Sequence, residues 1–272
     1  MFSLFRSSQK SAVRVAGPAV EPLESRAYMS VVPATVTVTV PGPVPAQVLA
    51  GVKANSKISV NLANNDTVRA RGRFTLTLFA STDQALSVDD AQIFTGSESA
   101  SIASGKNHTY KISVKTFPQN LSGSYFILAE VSGAAVNPAV GASTSAVSIQ
   151  QPVIDLGNLV TQSPLTARVG HKFAITLKVS NNGNITAKGK LAIALGLSNS
   201  PAGSAPFSLG TLSKSINLKP GVSKLVHLSV PLPLGVATGN EYIVADIDPA
   251  NAFLDPNPAN NTSVGQQAIS VT

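Results

Sequence analysis

Apolar and polar residues alternate in short, regular runs along this chain. Ser59 and Asn61 separate Ile58, Val60 and Leu62, and 117 positions later Thr176 and Lys178 separate Ile175, Leu177 and Val179. A period of two lines one face of a strand with apolar side chains and leaves the other polar. Each run leads into a polar turn, Asn64-Asn65-Asp66 or Asn181-Asn182-Gly183. Asn, Asp and Gly tolerate positive φ, and Asx side chains bond the nearby backbone. A second alternating run follows, Phe74, Leu76 and Leu78 or Leu191, Ile193 and Leu195. The spacing predicts that each pair of runs forms a connected antiparallel pair with one wet face.

The two segments are copies. Asn61 to Ser81 lies on Lys178 to Ser198 without a gap, and the basic pair Arg71/Arg73 falls on Lys188/Lys190. After a one-residue change of spacing, Tyr110, Ile112 and Val114 correspond to Val226, Leu228 and Val230. Tyr125 to Val131 corresponds to Glu241 to Ile247. Further strands are expected at Thr35 to Val40, near Ile93, and at Ser143 to Ile149. Seven or so short strands per copy, with turns between them, predict an all-β chain of two tandem immunoglobulin-like β-sandwich domains. The expected division is a basic leader over 1–31, a first domain over 32–150 and a second over 151–272, joined by Gln150-Gln151-Pro152.

Composition narrows the function. Of 272 residues 43% are apolar, enough for two cores, while only 12% are charged. Cysteine is absent, which excludes disulfides, thiolate chemistry and Cys-based zinc sites. The net charge of +7 is scattered rather than gathered beside aromatics, so no nucleic-acid partner is expected. Ala27 to Val52 is uncharged, but Pro33, Pro41, Pro43 and Pro45 break any helix there, and no transmembrane segment is expected. His108, His171 and His227 lie outside any nucleophile motif, and no glycine loop joins a strand to a helix. No catalytic residue is expected.

One loop is dense in oxygen ligands: Asp246, Asp248, Asn251, Asp255, Asn257 and Asn260. Calcium takes six to eight such oxygens, so the composition allows a weak Ca²⁺ site. The spacing does not follow an EF-hand and lacks a bidentate Glu. Turn chemistry is the preferred reading, in which Asx side chains satisfy local backbone groups. No other cofactor is expected.

Two stretches resemble known families. Residues 1–30 are basic and lack the apolar core of a secretory signal. Glu21-Pro22-Leu23-Glu24-Ser25-Arg26, followed by Ala27-Tyr28-Met29-Ser30, resembles the leader of many exported and surface proteins of planctomycete bacteria, with Ser25 where that family usually has Pro. Pro152 to Thr272 resembles the CARDB domain, a cell-adhesion-related immunoglobulin-like module of bacteria. The likeness rests on Asp155-Leu156, on Leu177 to Gly183 with Ala187 and Gly189, and on Ala245 to Asn251 followed by Asp255, Asn257, Asn260 and Asn261. The first copy keeps the strands but lacks the acidic-Asn ending. The resemblances imply a non-catalytic adhesion or scaffold module, extracellular or on the cell surface. Its partner would be an unidentified surface protein or polysaccharide. The alternatives are a carbohydrate- or peptide-binding module and an accessory domain of an exported enzyme.

Overall fold

The computed structural model describes residues 32–272; the leader expected over 1–31 lies outside them. The first half contains β1 (Val36–Thr39), β2 (Gln47–Leu49), β3 (Lys53–Asn64), β4 (Ala70–Ser81), β5 (Ala91–Ile102), β6 (Asn107–Thr116), β7 (Gly123–Gly133), β8 (Val136–Ala142) and β9 (Val147–Gln150). The second contains β10 (Leu156–Gln162), β11 (Thr166–Ala167), β12 (Lys172–Asn181), β13 (Ala187–Ser198), β14 (Phe207–Leu218), β15 (Ser223–Pro231), β16 (Gly239–Ile247), β17 (Thr262–Val264) and β18 (Ile269–Val271). A single turn of 3-10 helix, Pro258–Asn261, precedes β17.

Both halves arrange their strands identically. In the first, a three-stranded sheet β1-β3-β6 faces a sheet ordered β2-β9-β7-β4-β5, with β8 added on β7. In the second, β10-β12-β15 faces β11-β18-β16-β13-β14, with β17 added on β16. Nine strands match nine strands in order. One irregularity coincides as well, a bulge between Leu78 and Phe79 in one half and between Leu195 and Gly196 in the other. Each half encloses its own hydrophobic cluster, and the two clusters share no residue.

The period-two runs place the cores. Ile58, Val60, Leu62, Leu76 and Leu78 are buried in the first half; Ile175, Leu177, Val179, Ile193 and Leu195 are buried in the second. The expected connected pairs do not form. β3 bonds to β1 and β6, while β4 bonds to β5 and β7, so the polar turn carries the chain from one sheet to the other. Two strands that face each other across a core show the same alternation as two strands side by side, because the pattern records which face is buried and not which backbone is adjacent. β8 is not among the expected strands, because Pro138 and Gly141 interrupt its alternation.

The turn itself is held by a buried asparagine. Asn64 and Asn181 are both fully buried. The Asn64 amide nitrogen donates to the carbonyls of Val68 (2.8 Å) and Ile102 (3.0 Å), and its oxygen accepts from Asp66 N–H (3.0 Å). Asn181 repeats this set on Ile185 (2.8 Å), Leu218 (3.0 Å) and Gly183 (3.0 Å). The main-chain groups of the same residues are also bonded: Asn64 N–H donates to Lys106 O, and its carbonyl accepts from Gly105 N–H. Val222 and Gly221 do the same for Asn181. Gly105 and Gly221 have φ of +65° and +71°, a conformation other L-residues adopt at a cost. One side chain thus ties three turns or strand ends together in each half.

Replacing Asn181 with Ala takes the partner from the buried Leu218 carbonyl and from the part-buried Ile185 carbonyl and Gly183 N–H, and should cost about 3 kcal/mol of unfolding free energy. Asn64→Ala should cost the first half a similar amount. Chemical denaturation of each single variant checks this, and a midpoint within error of wild type for either would show the cage to be dispensable. Leu195→Ala, which removes a side chain only 4% exposed, should cost about 2–5 kcal/mol by the same measurement.

Candidate functional site

The loop between β16 and β17 is built from its carboxylates outward. Asp248, at the end of β16, is 4% exposed and points both oxygens at backbone: Oδ1 accepts from Ala252 N–H and Oδ2 from Phe253 N–H, each at 2.9 Å. Asn251 closes the next turn, accepting from Asp255 N–H (2.6 Å) and donating to Asp255 O (3.1 Å). Asp248 and Asn251 have φ of +52° and +49°, a left-handed conformation that short polar side chains tolerate. The loop folds back so that the Phe253 ring covers Gly189, where a Cβ would lie 3.3 Å from it.

Asp255 reaches furthest. It is 2% exposed, and its Oδ1 accepts from Asn257 N–H (2.8 Å) while Oδ2 accepts from Leu156 N–H (2.7 Å), the first residue of β10. A single carboxylate therefore fastens the late loop to the strand that opens this half. Asn257 contributes its backbone, and its side chain is exposed.

The remaining candidates lie apart from this group. Asn260 donates to Asp155 Oδ1 at 2.8 Å, and Asp246 accepts from Thr262 Oγ1 at 3.3 Å across the β16–β17 ladder. Among the described residues, no three His, Asp or Glu side chains come together as a metal site would require. Sequence reasoning missed Asn158, which donates to Ala245 O (2.9 Å) and stands on β10 beside this region. The amide oxygens of Asn158, Asn260 and Asn261 are buried with no protein partner among the described residues. Asp155-Leu156 and the closing Asn260-Asn261 were visible as motifs; that the fold brings Asp155 to Asn260 was not.

The histidines form no catalytic arrangement of residues. His108 lies on β6 and packs edge-on to Tyr110, ring centroids 4.7 Å apart. His171 is exposed just before β12. His227 Nδ1 and Thr176 Oγ1 share a hydrogen bond of 3.0 Å, and Thr176 also donates to Gln162 Oε1 at 3.4 Å. Gln162 bonds the Thr176 hydroxyl and not the imidazole, so it does not take the place of the carboxylate that orients a general base. These side chains line an open groove of about 470 Å³ next to Lys172 and Phe173, where β10 has left the edge of β12.

Burial raises the Asp246 carboxyl above its ordinary value of 3.8, helped by the neighbouring Asp248 charge and opposed by the Thr262 hydroxyl. The folded chain then holds its proton to higher pH than the unfolded chain does. Stability is therefore lost as pH rises from the unfolded value through the raised one.

Residues 153–264 match the CARDB family model. The chain is similar to the CARDB domain of a Pyrococcus furiosus protein, crystallised in complex with di-metal ions: 18% identity, 44% of this chain and 90% of that one covered, TM-score 0.32. It is also similar to red sea bream transglutaminase, at 13% identity over 89% of this chain and 32% of that one, TM-score 0.31. Escherichia coli alpha-2-macroglobulin gives 14% identity over 88% and 17%, TM-score 0.25. No curated protein sequence matches the chain. At such identities and scores no activity carries across.

Asp255→Ala removes the acceptor of the buried Leu156 N–H and of the part-buried Asn257 N–H, and should cost the second half about 2 kcal/mol. The same loss should be measured in millimolar calcium and in chelator; a loss that appears only in calcium would show the loop to be a cation site. Asp246→Asn keeps the acceptor for Thr262 and removes the charge. Its melting temperature at neutral pH should equal or exceed wild type, and the decline of stability from acid to neutral pH should flatten. An unchanged pH profile would show that Asp246 titrates normally.

Proposed function

We propose that this chain is a non-catalytic adhesion or scaffold module that works on the surface of a bacterial cell or outside it. The observation that carries the reading is the match of residues 153–264 to CARDB, a β-sandwich module related to bacterial cell adhesion. The first half is proposed as a divergent copy of the same module, supported by its identical strand order and its repeated buried asparagine. The non-catalytic reading is supported by the loop chemistry: Asp248 and Asp255 spend their oxygens on backbone amides, which leaves them to brace the fold rather than to act on a substrate. Among the described residues, no carboxylate hydrogen-bonds to the His227–Thr176 pair.

A second reading has one observation in its favour. Beyond the bulge at Val160 and Gln162, β10 no longer covers β12, and the groove there exposes part of a strand edge. An extended peptide would add to such an edge through main-chain hydrogen bonds. In this reading the module captures a peptide partner at Lys172 to Ile175.

Export is the property to test first. A C-terminally tagged chain, expressed in a bacterial host of the kind whose leaders residues 21–30 resemble, should be found in the medium or on the cell, and protease added to intact cells should degrade it. Recovery from the cytosol alone, untouched by external protease, would overturn the surface-module reading.

A further inference from the structure

β5 and β14 are the longest edge strands of the molecule, twelve residues each, and neither has a partner on its outer side among the described residues. Long open edges invite other strands, and proteins protect them with charges. The charges here differ from edge to edge. β6 carries Lys111 and Lys115, and β15 carries Lys224. Those two edges have the same sign and repel each other. β5 carries a single charge, Glu98, and β14 a single charge, Lys214.

The two charges hold equivalent positions. Glu98 stands opposite Phe74 in the β4–β5 ladder, and Lys214 stands opposite Leu191 in the β13–β14 ladder. Phe74 and Leu191 are buried in their cores, so both charges project from the inward face of an edge strand. A strand added beside β5 must meet Glu98 there, and an apolar or acidic residue opposite it would be penalised. Pairing β5 with itself about Glu98 sets Glu against Glu, and pairing β14 with itself about Lys214 sets Lys against Lys. β5 with β14 sets opposite charges together on the two longest edges; β15 also carries an inward lysine, Lys224 opposite buried Val179, but Ser223 and Leu225 flank it where two serines flank Lys214. In the register of Glu98 on Lys214, Ser97 and Ser99 face Ser215 and Ser213, or the reverse, whichever way the strands run. Hydroxyl and opposite-charge pairs both favour such a contact.

We propose that β5 of one copy pairs with β14 of a second copy of this chain, extending one sheet into the next with Glu98 against Lys214. The inward charges then act as a selector, penalising like edges and favouring an unlike one, and the flanking serines add to the match between β5 and β14. One carbonyl on β5, that of Ser99, already accepts from the Tyr110 hydroxyl at 3.0 Å; its second lone pair remains for the incoming strand. Each copy offers both a β5 edge and a β14 edge, so the pairing either closes two copies or runs on into a chain. The inference goes beyond the surface-module reading and does not depend on export.

A charge swap tests it. The full chain and the variants Glu98→Lys, Lys214→Glu and Glu98→Lys/Lys214→Glu are compared by sedimentation velocity over a range of concentrations, with thermal melts as a check on folding. Wild type should grow in size with concentration, and more weakly at high salt. Each single variant places like charges together and should associate at least about tenfold more weakly. The double variant should recover wild-type association. Should either single variant melt well below wild type, Glu98→Gln and Lys214→Gln replace it, with a smaller weakening expected. Wild type that stays monomeric throughout, single variants that associate as strongly as wild type, or a double variant no better than the singles would each overturn the proposal.

Discussion

Everything in each half hangs on one buried amide. A sandwich of two sheets needs a connection that leaves one sheet and enters the other, and such a connection exposes backbone groups at the rim of the core. Leaving them unpaired costs more than any single contact nearby returns. Asn64 and Asn181 answer all of this with one side chain each, giving two hydrogen bonds and taking one. The bonds join the turn after β3 or β12 to the last residue of β5 or β14, which belongs to the opposite sheet. The spacing between the sheets at that rim is thereby fixed, and the alternating residues on either side pack against each other at a distance that the amide sets.

This explains how much of the fold was legible. Strand existence followed from alternation, because burial on one face demands it. The Asn-rich turns followed from residue type. Pairing did not follow, since Leu62 and Leu76 are equally buried whether their strands lie side by side or across a core. Short strands such as β2, β11 and β17 carry two or three residues each, too few to show a period. The candidate loop was legible as a turn and its chemistry was not. Asp255 reaches Leu156 across 99 positions and Asn260 reaches Asp155 across 105, and no local pattern announces contacts at that separation.

The halves differ where the chain is free to differ. The Asn cage, the bulge and the strand order recur in both, and all of them maintain the sandwich. The loop between β16 and β17 is rebuilt with buried carboxylates, while β7 and β8 of the first half meet through a short turn at Ala135. The edge strands keep their length but reverse the sign of their single charge. The rim and the edges are thus among the places where the two halves differ.

The parallel pairings carry a mechanical consequence. β2 lies parallel to β9, and β11 parallel to β18, so the early and late strands of each half are direct neighbours. Tension applied between β2 and β9, or between β11 and β18, drags these neighbours past each other along their own axes. The bonds between them, Ser270 N–H to Leu165 O and Thr272 N–H to Ala167 O among them, are loaded together rather than one after another. Tension is then met in shear, and the half resists until the whole ladder gives way at once.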